Sequence, residues 1–343
     1  MLKLTDNYPL KNVTTLSIGG PARKFAEVQT KEELMEAITL SKDQKLPYLV
    51  IGGGSNLLVS DDGVNYLVIK NRLTGITHSG NEVKVKSGTV LQDLVDYTIK
   101  HGLAGLQNLA GIPGTVGGAV YGNAGAYGQT ISDHLTEVTV LSSSSVIPAK
   151  AGIYIDKQSL RSYGSKFYGS RIEYGMTKED CQFNYRDSIF KQTEQALSCE
   201  NKDIILEVTF QLEPGDPELL AAKAQDTLTK RLVKYPPGIK CPGSFFKNLV
   251  ASKIPPEILK NIPPEKIVYG KVPAGALLEE VGAKGQSIDG IEIASYHANL
   301  FINQGSGSAS AFYKLAKTYA EKVKEKFNIS LEPEVQLINL PPI

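Results

Sequence analysis

Residues 105–128 read GLQNLAGIPGTVGGAVYGNAGAYG and hold eight glycines with no charged side chain. Glycine inside a helix or strand costs roughly 0.5–1 kcal/mol relative to alanine, so this stretch resists long regular elements. A chain that carries it must fold so that bare backbone comes close to something. A second cluster, IGGGSN (51–56), follows the apolar run PYLVI and reads as a strand entering a turn. Consecutive N–H groups in such turns form nests that hold phosphate oxygens without any lysine, which suits glycine-rich, uncharged loops. Tight turns in a packed protein explain the same composition, and the residues alone leave both readings open. The common signatures are missing: no GxGxxG follows a strand, and neither GxxxxGK[ST] nor GxSxG occurs. A nucleotide held by these loops would therefore sit on neither a Rossmann nor a P-loop fold.

The 343 residues exceed one ordinary domain, so two or three are expected. Lys and Arg number 37 against 36 Asp and Glu, a net charge of +1 that speaks against nucleic-acid binding through overall charge. The three cysteines (Cys181, Cys199, Cys241) are odd in number and lack CxxC spacing, as in a reducing compartment. The four histidines (His78, His101, His134, His297) show no metal-ligand spacing, and no metal site is expected. The start, MLKLTDNYPL, has no apolar signal core, and no apolar run of about 18 residues occurs. The expectation is a soluble, cytoplasmic, monomeric protein without nucleic-acid or membrane partners.

Periodicity places several elements. TKEELMEAITLSKD (30–43) predicts a helix with Thr30 and Glu33 as a capping box and Leu34, Ala37 and Ile38 on one face. TVLQDLVDYTIKHG (89–102) predicts a helix with Leu91, Leu94, Val95 and Ile99 inward and Gly102 beyond its end. YLVIK (66–70), EVKVKSG (82–88), EVTVL (137–141) and DIILEVTFQL (203–212) read as strands. DPELLAAKAQDTLTKRL (216–232) and SASAFYKLAKTYAEKVKEKF (308–327) read as helices, and ISLEPEVQLIN (329–339) as a final strand. Residues 143–173, rich in Ser, Gly, Lys and Tyr, follow neither period and read as an inserted surface segment, partly disordered or a long ordered loop.

Six motifs then occur in order: IGGGSN, the 105–128 stretch, CQFNYRDSIFK (181–191), CPGSFFKN (241–248), YHANLFIN (296–303) and LEPEV (331–335). Together they closely resemble the UDP-N-acetylenolpyruvoylglucosamine reductase family, over nearly the whole chain outside 143–173. The resemblance implies an α+β fold: an FAD-binding region of the PCMH or vanillyl-alcohol-oxidase type, made of two α/β subdomains, plus a C-terminal α+β substrate-binding domain. The implied division is 1–72 (rejoined by 330–343), 73–235 including the insert, and 236–329. It implies non-covalent FAD along Gly52, Gly53, Gly54, Ser55, Asn56 and Leu57, and along Gly111, Ile112, Pro113, Gly114, Gly117, Gly118, Asn123, Gly125, Ala126 and Gly128. NADPH would reduce the flavin and leave. An enolpyruvyl sugar nucleotide would then enter the same pocket, take hydride at C3 and a proton at C2.

The resemblance carries roles to single residues. Ser244 matches the family's proton donor; without the resemblance it reads as a turn serine before a buried FF pair. Arg186 matches the catalytic arginine, whose planar fork suits a carboxylate, although pairing with Asp187 is the plainer reading of the residues alone. Glu334 matches the catalytic glutamate, while strand alternation puts Glu332 on the same face. From 227 to 256 there are six basic residues and no acidic one. That strip reads as a solvated face or a diphosphate contact, and Lys234 matches the family's diphosphate lysine. Tyr185, Asn248 and His297 match further substrate positions. The chain departs from one branch of the family in lacking its extra tyrosine loop, and Gln336 stands where an arginine is common. Two other readings remain: a different flavin-dependent oxidase on the same scaffold, and a nucleotide-sugar-binding protein without catalysis.

Overall fold

The computed structural model describes residues 2–142, 147–149, 153–155, 166–168, 171–192, 203–260 and 262–343; Cys199 lies outside them. The chain divides into two compact units. The first gathers Met1–Asp6, Lys24–Gly53 and Asn65–Val233; the second gathers Asn7–Arg23, Gly54–Val64 and Lys234–Ile343.

The first unit contains a six-stranded sheet in the order Lys166–Tyr168, Arg171–Thr177, Leu135–Ser142, Ile204–Gln211, Glu82–Lys86, Ile76–Ser79, with every neighbour antiparallel. Alternation along its central strands feeds two cores. Val138, Val140, Ile205, Val208 and Phe210 join the cluster under the Leu91–Lys100 helix. Leu141, Ile204 and Leu206 point the other way, into the cluster of the Lys31–Asp43 helix. The near-continuous apolar run IILEVTF follows from this burial on both faces. A four-stranded sheet, ordered Thr5–Pro9, Pro21–Val28, Val64–Asn71, Tyr48–Ile51, carries the Lys31–Asp43 helix, and its last two strands run parallel.

Local signals mostly hold. Thr30 Oγ1 accepts from the Glu33 N–H at 3.2 Å, while the Glu33 carboxylate reaches one residue further back than a standard capping box, to the Gln29 N–H at 2.6 Å. Leu34, Ala37 and Ile38 are buried as expected. In the second helix Thr98 is buried and Ile99 only partly so. Gly102 turns past the end at φ 66°. The 143–173 segment differs from its reading as an irregular insert. Ile147–Ala149 pairs with Ile153–Ile155, and Lys166–Tyr168 extends the six-stranded sheet. Short strands of three residues leave too few positions for a period to be read. The rest of that segment lies outside the described residues, and so does the choice between disorder and a long loop.

The second unit builds its core from Phe245, Phe246, Phe301 and Phe312, whose ring centroids lie 4.7–6.3 Å apart where they meet. The Ala309–Phe327 helix buries Phe312, Leu315, Ala316, Tyr319 and Val323 there, beside the three-stranded sheet Ser287–Ile288, Ile291–Ile293, Phe301–Asn303. Asp61 caps that helix: its carboxylate accepts from the N–H groups of Ala309 (2.7 Å) and Ser310 (2.9 Å) and from the Ser310 hydroxyl (2.8 Å). Asn328, left-handed at φ 56°, ends it. The expected final strand is a correction. Only Gln336–Ile338 is a strand, parallel to Leu57–Val59. The segment before it makes only an isolated antiparallel bridge, Pro333 with Phe246, in which the Lys247 N–H donates to the Glu332 carbonyl and the Glu334 N–H to the Phe245 carbonyl; the missing proline N–H falls where that bridge needs none.

Candidate active site

In the first unit the two glycine clusters meet. A Cβ on Gly53 would lie 2.7 Å from the Gly114 Cα, and one on Gly52 would lie 2.3 Å from Thr115 Oγ1. At Gly53 the missing side chain lets backbone approach backbone, and at Gly52 it makes room for the Thr115 side chain, the close packing that a tight turn needs. Thr115 caps the short Val116–Tyr121 helix and accepts from the Gly118 N–H at 3.3 Å, while the Gly117 N–H donates to the Ser87 carbonyl at 2.8 Å. Gly111, Ile112, Pro113 and Gly114 form the turn before that cap, and the Gly111 N–H donates to Gln92 Oε1 at 2.7 Å. Gly125 and Ala126 pair with Thr130 and Gln129 in a hairpin that turns through Gly128.

Asn123 precedes that hairpin, left-handed at φ 42° and buried. Its Nδ2 donates to the Asn184 carbonyl at 2.8 Å, which fixes the amide, and its buried Oδ1 has no hydrogen-bond partner among the described residues. Arg186 comes to the same turn. Asn184 and Asp187 exchange backbone hydrogen bonds of 3.0 and 3.2 Å around Tyr185–Arg186. Arg186 sits at φ 56° in this turn, a strained place for a long side chain. Its guanidinium donates to the Gly125 carbonyl at 2.8 Å and lies 5.7 Å from the Tyr185 ring. Asp187 accepts instead from the Ser188 N–H and from Gln192 Nε2.

The second unit holds a cleft of about 270 Å³ whose lining includes Lys234, Ser244, Asn248, Lys284, His297 and Asn299. Three of the four expected substrate residues thus meet the expected proton donor; the fourth, Tyr185, belongs to the first unit. Ser244 Oγ accepts from Lys234 Nζ at 3.2 Å and lies 3.4 Å from the Tyr235 hydroxyl. Asn248 is turned toward backbone, its Oδ1 accepting from the Ala274 N–H at 3.1 Å. Burial, and then the Lys234 charge, push His297 down to about 4, so its ring is neutral near pH 7. Its Nδ1 accepts from the Asn299 N–H at 3.2 Å.

Asn299 is a residue that motif matching passed over. It is buried, accepts from the Phe246 N–H and donates to the Phe246 carbonyl, both at 2.8 Å, and its own carbonyl takes the Phe245 N–H. A polar side chain inside the apolar run ANLFI was the available signal. On the other side of the Ser244 segment, the Phe245 carbonyl accepts from the Glu334 N–H at 2.7 Å. Asn56 Nδ2 donates to the Glu334 carbonyl at 3.1 Å, and the Asn56 carbonyl takes the Gln336 N–H. Asn56 thereby joins the turn after Gly54 to the expected catalytic glutamate. The two glutamates differ: Glu332 is exposed and paired with Lys247, whereas Glu334 is half-buried. Burial and the Lys247 ion pair separate the two glutamates where alternation could not.

Comparison with known proteins agrees with this architecture. An FAD binding domain family matches residues 22–147, and the C-terminal domain family of UDP-N-acetylenolpyruvoylglucosamine reductase matches residues 236–338. The UDP-N-acetylenolpyruvoylglucosamine reductase of Solibacter usitatus is 37% identical over 98% of this chain and 97% of its own length. That of Rubrobacter xylanophilus is 32% identical over 97% and 94%. The crystal structure of the Thermus caldophilus reductase superposes with a TM-score of 0.68 at 28% identity, covering 98% of this chain and 99% of that one. The fold is α+β with an FAD-binding domain, and the chain belongs to the UDP-N-acetylenolpyruvoylglucosamine reductase family.

Proposed function

We propose that Ser244 is the proton donor in this chain's reaction, and that Lys234 and Tyr235 set the direction in which it donates. The enzyme is an FAD-dependent UDP-N-acetylmuramate dehydrogenase, reducing UDP-N-acetylglucosamine enolpyruvate with NADPH in peptidoglycan precursor synthesis. The first unit fits the cofactor: Asn123 offers a buried, unsatisfied acceptor of the kind that an isoalloxazine imide N–H would satisfy. Gly52–Leu57 and Gly111–Gly128 are the segments proposed to hold it. Bound FAD supplies the redox chemistry, hydride taken from NADPH and passed to C3 of the enolpyruvyl group.

What the chain's own residues must do is deliver a proton to C2 and bear the charge that builds on the adjoining carboxylate. A serine hydroxyl has one proton to give and two lone pairs to receive. At Ser244 one lone pair accepts from Lys234 Nζ and the Tyr235 hydroxyl lies 3.4 Å away; with Tyr235 as the donor of that pair, the serine O–H is left to point at the substrate. This geometry carries the reading. A hydroxyl is a weak acid, but a carbanion-like carbon is a strong base, and the adjacent ammonium stabilises the oxyanion left behind. Arg186 and Glu334 are proposed for the carboxylate, a cation with a planar fork and a hydrogen-bonding carboxyl. Lys234, Asn248, His297 and Tyr185 are proposed for the rest of the sugar nucleotide. Cytoplasmic action by a monomer belongs to the same reading, and among the described residues no helix is long and apolar enough to cross a membrane.

Ser244→Ala tests it by stopped-flow absorbance. NADPH should still bleach the flavin at a rate within about twofold of the parent, while reoxidation by the enolpyruvyl nucleotide slows roughly 10²–10⁴-fold. Equal loss in both half-reactions would remove Ser244 from the donor role.

A further inference from the structure

We infer that Tyr235 is a relay residue that returns a proton to Ser244 as Ser244 protonates the substrate. The inference rests on Ser244 as donor and adds the source of the proton that replaces the one given. Tyr235 follows directly on Lys234, so one backbone step places a cation and a phenol on the same serine oxygen, at 3.2 and 3.4 Å. Lys234 Nζ also lies 5.1 Å from the centre of the Tyr235 ring, a cation–π contact that holds the two side chains together. The tyrosine is held in place. Its half-buried ring packs against Cys241, Ala294 and Leu300, and the next residues, Pro236 and Pro237, stiffen the backbone. Tyr296 donates to the Lys234 carbonyl at 3.1 Å, fixing the same corner from the cleft side.

The proton account closes. The Ser244 O–H bond breaks as the C2–H bond forms; the phenol O–H of Tyr235 breaks as the serine O–H is remade; water then reprotonates the phenolate. One solvent proton is consumed per turnover and no electron moves in the relay. Phenol is a much stronger acid than an aliphatic alcohol, so transfer from Tyr235 to a serine oxyanion runs downhill. Tyr235 is only half-buried, and the relay takes its replacement proton from water on that exposed side.

Tyr235→Phe keeps the ring and removes the hydroxyl, and yellow colour with intact NADPH bleaching reports a folded enzyme. The reading is the rate of reoxidation by the enolpyruvyl nucleotide in mixtures of H2O and D2O. In the parent enzyme the rate should fall along a curve, because two protons move together. In Tyr235→Phe it should fall along a straight line and be slower by roughly 10- to 100-fold. A linear dependence in the parent overturns the relay whatever the variant does. An unchanged rate and curve in Tyr235→Phe overturns it too, and assigns reprotonation to Lys234. Ser244→Ala separates the two levels: if it alone blocks reoxidation, the donor reading stands and only the relay has failed; if it does not, the donor reading fails first.

Discussion

Single side chains set the electrostatics of the cleft. His297 is held neutral by burial and by Lys234, at about 4 against an ordinary 6.5. Above pH 6.5 the ring is neutral in both the folded and unfolded chain and contributes no pH dependence. Between 6.5 and 4 the unfolded chain binds a proton that the folded chain refuses, so stability must fall as pH drops through that window. The expected outcome is a denaturation midpoint for the parent protein that declines between pH 6.5 and 5 more steeply than for His297→Gln. Matching slopes would place His297 in a solvated setting. Arg186 shows a second use of a single residue. Its left-handed backbone, a strain of about 1–3 kcal/mol, is held while its guanidinium bonds the Gly125 carbonyl. That investment aims a cation at one turn and is invisible in composition or spacing.

Among the elements, the meeting of the two glycine loops decides whether the FAD-binding unit closes properly. Gly53→Ala puts a methyl group 2.7 Å from the Gly114 Cα, where neither backbone can yield cheaply. The purified variant should carry a clearly lower ratio of flavin to protein absorbance than the parent; an equal ratio would mean that the loops tolerate separation. The helices at 31–43, 91–100 and 309–327 were legible because apolar spacing and caps agreed, as at Thr30 and Gly102. The strands of 143–173 were not, because three-residue pairs carry no period. The 331–335 segment misled because E-P-E-V alternates like a strand, yet it makes a single bridge, Pro333 with Phe246, before the short Gln336–Ile338 strand. Of the site, the motifs singled out Ser244, Lys234 and His297, and the fold brings these three to one cleft. Asn299 and Tyr235 were missed, since their importance lies in bonds to Phe246 and Ser244 that only folding creates.

The whole chain joins an FAD-binding unit to a unit that carries a serine, a lysine and a neutral histidine around one cleft. The segments 7–23 and 54–64 cluster with the C-terminal part, and the Leu57–Val59 and Gln336–Ile338 strands pair across nearly the full sequence. Such long-range pairing means that the second unit is complete only when both ends of the chain are present. Cys181 and Cys241 are both buried and unbridged, in keeping with the odd cysteine count. The proposed reaction has two stages, in which a tightly held flavin is reduced by NADPH and then reoxidised by an alkene on a sugar nucleotide. Anaerobic spectroscopy of freshly purified protein tests it in one titration. The protein should be yellow, lose its flavin band on one equivalent of NADPH, and regain it on one equivalent of UDP-N-acetylglucosamine enolpyruvate. A colourless protein that takes up no added FAD, or a bleached one that only oxygen can recolour, would contradict it.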